Sequence, residues 1–123
     1  MPHLIVEYTA NLVGFPEDHA LTQLNAALTG SPEILDEADL KTRIVQRDKF
    51  QVGVAREERA FVYAQLRVLS GRTHEAKRDL AERVAGVLRR LTPQPAGLPV
   101  QLSVEIIDMD RGAYLKERLA PEA

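Results

Sequence analysis

The sequence holds 123 residues, 45% hydrophobic and 28% charged, which suits a single domain spanning 1-123 with a modest core. A formal charge of -2 argues against a nucleic-acid partner, because such domains carry a basic patch or stripe. Without cysteine there can be no disulfide, thiolate metal site or cysteine nucleophile, and no apolar run reaches membrane-spanning length.

The first eight residues, Met1 to Tyr8, read as a strand that begins at once, with Leu4 to Val6 and Tyr8 suited to burial and no disordered leader ahead of them. Pro2 has no N–H to donate, so it is tolerated at a strand's first residue for structural reasons alone. A second property follows if the cell trims Met1. Pro2 then carries a free secondary amine, and an α-amine titrates at about 7.7–8.0 before its surroundings act on it. In an apolar, cation-lined pocket that value falls, leaving a general base poised near neutral pH.

Further on, Phe15-Pro16-Glu17-Asp18 opens a helix, with proline in the first turn and acids at the positive dipole end. Leu21, Leu24 and Leu28 recur on one helical face to about Thr29, where Gly30 supplies a stop. A strand is expected from about Asp39 to Asp48. Period-two alternation there puts Lys41 and Arg43 on one face and Ile44 on the other. Phe50 to Val54, with Gly53, reads as a minor strand or turn, and Arg56-Glu57-Glu58-Arg59 as a solvated link.

The second half repeats the first. Ala60 to Leu69 is a strand with Val62, Ala64, Leu66 and Val68 on its apolar face. Thr73 is placed to cap the next helix, whose Ala76, Leu80, Val84, Val87, Leu88 and Leu91 form one stripe. After Thr92 to Gly97 a last strand runs from about Val100 to Asp108, and Gly112 to Ala123 could add a short strand or helical turn. Each half is thus a β-α-β unit with a crossover helix between parallel strands. Two units side by side predict an α+β fold: a β-α-β-β-α-β chain forming a four-stranded sheet with both helices on one face. The opposite face, bearing Tyr63, Gln65, Arg67 and Ile107, is too apolar in places for free water, so an oligomer is expected.

The Met1-Pro2-His3-x-Ile5-Val6-Glu7 start, the two β-α-β halves, the basic strand residue at 41 and Ser70-Gly71-Arg72 resemble the tautomerase superfamily. The likeness is nearest to its 5-carboxymethyl-2-hydroxymuconate Δ-isomerase branch. That resemblance implies a homotrimer and a cofactor-independent isomerase of aromatic-compound degradation, acting on a small-molecule, multiply carboxylated hydroxymuconate. It implies Pro2 as the proton carrier and Arg72 as a carboxylate-binding residue. Lys41 falls where the family pattern has an arginine, and Arg43, on the same strand face, is the alternative. The chemistry suits these residue types, since guanidinium groups pair bidentately with carboxylates and a cation stabilises a developing oxyanion. No metal is expected, because His3, His19 and His74 lie far apart without ligand-like spacing. A cytoplasmic location is the simplest expectation. His3 is read as a structural hydrogen-bonding group, and Tyr63 and Tyr114 as packing residues. The competing classes are a non-catalytic trimeric ligand-binding or signalling module of the same fold, and a plain ferredoxin-like interaction domain.

Overall fold

Alternation along each strand is what builds the core. In the computed structural model, which describes residues 1–121, strand β1 (His3–Thr9) buries Leu4, Val6 and Tyr8 on one side while His3, Ile5 and Glu7 stay half-exposed on the other. Helix α1 (Glu17–Thr29), strand β2 (Lys41–Arg47), strand β3 (Ala60–Leu69), helix α2 (His74–Leu91) and strand β4 (Val100–Met109) follow in order. The sheet order is β2-β1-β3-β4, with β1 parallel to β2, β3 parallel to β4, and the two halves joined antiparallel through β1 and β3. The expected β-α-β-β-α-β architecture is therefore the one observed.

Leu24 and Leu28 of α1, Leu80, Val84 and Leu88 of α2, and Val62, Ala64 and Leu66 of β3 are all fully buried in one cluster. Each large aliphatic side chain in it contributes roughly 1.5–3 kcal/mol by leaving water. Ala20, not Leu21, completes the buried face of α1, while Leu21 is half-buried at its margin. Tyr8 stacks on Phe15 at 4.2 Å between ring centroids and donates its hydroxyl to Glu17, with Gln46 Oε1 a second acceptor sharing that one hydrogen at 3.2 Å. Burial, then the Glu17 carboxylate, pushes the Tyr8 phenol up to about 12, so it stays a neutral donor.

Local departures have local causes. Gly30 keeps a right-handed φ of -72°, so it ends α1 without the left-handed turn that a glycine stop suggests. Its use is spatial: a Cβ there would lie 3.0 Å from an Arg83 guanidinium nitrogen, and that guanidinium donates to the Ala27 carbonyl at 3.1 Å, satisfying the helix end. The stretch 50–54 forms bends rather than a strand, and Arg59 is half-buried rather than solvated because it donates to the Val52 carbonyl at 3.1 Å. Asp36 caps a single 3-10 turn, Glu37–Asp39, ahead of β2. Past β4 another 3-10 turn spans Arg111–Ala113 and the chain continues without regular structure; the last two residues lie outside the described part.

Candidate active site

Because β1 and β2 start, and β3 and β4 finish, at the same end of the sheet, that end gathers Pro2, Asp39, Lys41, Arg67 and Arg72. Register makes the grouping closer, with His3 opposite both Lys41 and Arg67. Pro2 is buried, and its carbonyl accepts the Lys41 N–H at 3.0 Å, which fixes the front of β1 against β2.

The amine of Met1, one residue before Pro2, donates to the Asp39 carbonyl at 3.2 Å. The Lys41 ammonium donates to the same carbonyl. Burial first, then the Lys41 contact and the charges of Lys41 and Lys116, lower this amine from 8.0 to about 5, with Asp39 acting in the opposite direction. The Met1 amine is thereby driven toward its uncharged form at neutral pH.

His3 projects to the open face of the sheet. Arg43 reaches its Nδ1 at 3.2 Å and the Tyr114 hydroxyl lies 3.0 Å from its Nε2. Arginine only donates, so Nδ1 must be the acceptor and a neutral ring carries its hydrogen on Nε2, facing Tyr114. Burial, followed by Lys41 and Arg43, lowers the imidazole pKa and keeps the ring in that neutral form. His3, Arg43, Arg67, Asp108 and Tyr114 line an open cleft of about 430 Å³. Tyr114 meets the His3 ring edge-on, at 6.1 Å between ring centroids, and its hydroxyl contact orients the histidine.

Arg72 lies elsewhere. Gly71, at φ +116°, makes the turn that delivers it, a conformation in which an L side chain would be strained. Its guanidinium donates to the Leu69 carbonyl at 2.9 Å and the Glu33 carbonyl at 3.2 Å, and its Nε stands 3.1 Å from the Glu33 carboxylate. The depression beside it, about 330 Å³, is shared with Glu33, Thr73 and Arg111 and includes neither His3 nor Arg43. Of the residues singled out by sequence, Lys41 is brought to the terminal amine, Arg43 to the neighbouring cleft, and Arg72 to a separate depression at the same end. Sequence reasoning missed Asp39, Lys116 and Arg118. The Asp39 carboxylate accepts from Lys116 and from Arg118, at 2.9 Å from the latter, and contacts across more than 70 residues leave no periodic signal. Among the described residues no three His, Asp or Glu side chains cluster to hold a cation, and no helix is long and apolar enough to cross a membrane.

A mixed four-stranded sheet with two helices on one face, in β-α-β-β-α-β order, and a buried proline at the head of its first strand define a tautomerase-superfamily subunit. The family model for 5-carboxymethyl-2-hydroxymuconate isomerase matches residues 2–119, and the chain belongs to that family. Among solved structures, a 5-carboxymethyl-2-hydroxymuconate isomerase from Deinococcus radiodurans R1 superposes with a TM-score of 0.84 at 26% identity, covering 96% of this chain and 90% of the other. A 5-carboxymethyl-2-hydroxymuconate delta-isomerase gives 0.61 at 19% identity over 98% and 89% of the two chains. A macrophage migration inhibitory factor-like protein from Entamoeba histolytica gives 0.65 at 13% identity over 94% and 95%, a likeness of fold. No curated protein matches the chain.

Proposed function

We propose that this isomerase-family chain shifts a double bond in an unsaturated hydroxy-carboxylate such as 5-carboxymethyl-2-hydroxymuconate, using the nitrogen of Pro2, freed by removal of Met1, as its base. The observation that carries the proposal is the place of Pro2, buried at the head of β1 with its carbonyl bound by the Lys41 N–H, one residue from a Met1 amine that burial and Lys41 hold below its ordinary value. A neutral secondary amine there takes a proton from the substrate, becomes an ammonium, and returns the proton at another carbon as the double bond moves. Substrate and product are isomers, so one base closes the cycle and nothing else is consumed.

The cations divide the remaining work. Lys41, next to the amine, offsets negative charge growing on the substrate oxygen. Arg43, exposed at the cleft, pairs with a substrate carboxylate by charge-assisted hydrogen bonds. Arg72 has the Glu33 carboxylate 3.1 Å from its Nε, and a second substrate carboxylate there would compete with it. A homotrimer would cover Ile5, Val45, Phe61 and Ile107 on the sheet's open face, where half-exposed apolar side chains need a partner.

Assaying a panel of enol acids with protein whose Met1 has been removed tests the proposal. Turnover of dicarboxylated dienols above neutral enols is the expected result. A trimer that turns over none of them, or that retains Met1 in the cell, would instead be a non-catalytic module of the same fold.

A further inference from the structure

The segment after β4 folds back over the 3-10 turn that precedes β2. Lys116 pairs with the Asp39 carboxylate, and Arg118 bridges Asp36 and Asp39 at 2.9 Å to each. Through its carbonyl, the same Asp39 accepts the Met1 amine, one residue ahead of Pro2, and the Lys41 ammonium. One residue thus has its backbone turned to the amine and its carboxylate turned to the tail. We infer that Lys116 and Arg118 are positioning residues that, by neutralising Asp39, favour the uncharged form of an amine at the head of β1, that of Met1 and, once Met1 is removed, that of Pro2, so the C-terminal tail sets the strength of the base.

Counting charges at this corner gives the direction. Three cations, Lys41, Lys116 and Arg118, face two carboxylates, Asp36 and Asp39. Removing the two tail cations leaves one ammonium against two carboxylates, and the sign of the local field inverts. His3, from β1, is held neutral and does not alter the count, while Arg43 of β2 and Arg67 of β3 lie around the His3 cleft. An anion near an amine favours its protonated form. Neutralised by the tail, Asp39 loses most of that effect; bared, it regains it.

The catalytic meaning of this clasp rests on Pro2 being the base, but the clasp is measurable without catalysis. The probe is an NMR titration of the ¹⁵N-labelled Pro2 amine in Met1-processed protein. Unaltered protein should titrate well below the ordinary amine range of about 7.7–8.0. Lys116→Ala with Arg118→Ala should raise that midpoint by about one unit, and adding Asp39→Asn should bring it back down. Lys116→Arg with Arg118→Lys should leave it where it was. An unchanged midpoint in the double alanine variant overturns the inference. So does a midpoint that stays raised after Asp39→Asn, which would mean that the tail only excludes water. Following the acid limb of kcat/KM in the same variants separates the two ideas. An amine that shifts while the limb stays fixed keeps the clasp and removes Pro2 as the base.

Discussion

The two faces of the sheet are made by alternate residues of the same four strands, and they do opposite things. Under the helices, Leu4, Val6, Val62 and Leu66 are fully buried aliphatic groups without a polar partner among them. One residue along each strand, the other face presents His3, Arg43, Arg67 and Tyr63, half-exposed or exposed and held by hydrogen bonds and charge. Stability and chemistry are thus separated by a single step of the backbone. A one-residue slip of register would exchange them, so the aliphatic face fixes where the polar residues stand.

That separation predicts that changes at the polar end alter turnover while changes under the helices alter stability. The largest effect should come from Pro2→Ala, lowering kcat/KM by about 10²–10⁴-fold with the unfolding midpoint kept, as expected for loss of a well-matched general base. Steady-state kinetics on the best enol acid checks it, and wild-type rates would blur the division. Next, Leu66→Ala should cost about 2–5 kcal/mol in denaturant unfolding, whereas exposed Gln101→Ala on the other face should stay within about 0.5 kcal/mol.

A smaller effect is expected at the cleft. Arg43→Ala should weaken kcat/KM for carboxylated dienols by about 10- to 100-fold, the loss of a charged hydrogen bond, and barely touch a neutral enol. Comparing the two substrates in one assay sharpens the contrast. Thr73→Ala, which removes the hydroxyl that accepts the Ala76 N–H at 3.1 Å, should cost about 1 kcal/mol of stability and no activity beyond that. Acid is the mildest probe. In the chain that keeps Met1, the Met1 amine and His3 both have lowered pKa values when folded, so the unfolded chain binds more protons in the window below their ordinary values. Stability should therefore fall as pH drops from about 8 toward 5, read as a decreasing thermal midpoint, and a midpoint rising over that window would contradict the burial of these groups.

Most of the fold was legible because its signals are local. Alternation in β1, β3 and β4 and the Leu80–Val84–Leu88 stripe of α2 each follow from a few neighbouring residues. Parallel pairing followed from the crossover helices. Less legible were features set by space: Gly30 ends α1 as expected, but the room it leaves for Arg83 has no sequence signal. At the candidate site, Pro2, Lys41 and Arg43 are proposed from strand position and resemblance, and the fold brings them to one end of the sheet. Arg72 is proposed from resemblance, but its engagement by Glu33 depends on a loop whose path no periodicity encodes. The Asp39–Lys116–Arg118 cluster had no local signal, since it arises where a tail without regular structure meets a single 3-10 turn.

As the proposed base, the nitrogen of Pro2 can work only as a free amine, because an amide nitrogen has no basic lone pair. Two preparations of the same chain, one with Met1 removed and one with Met1 retained, each verified by intact mass, should be compared for turnover of the same dienol acid. Turnover is expected from the trimmed protein alone, the retained form folding equally well but leaving its substrate unchanged. Equal rates from both would contradict that.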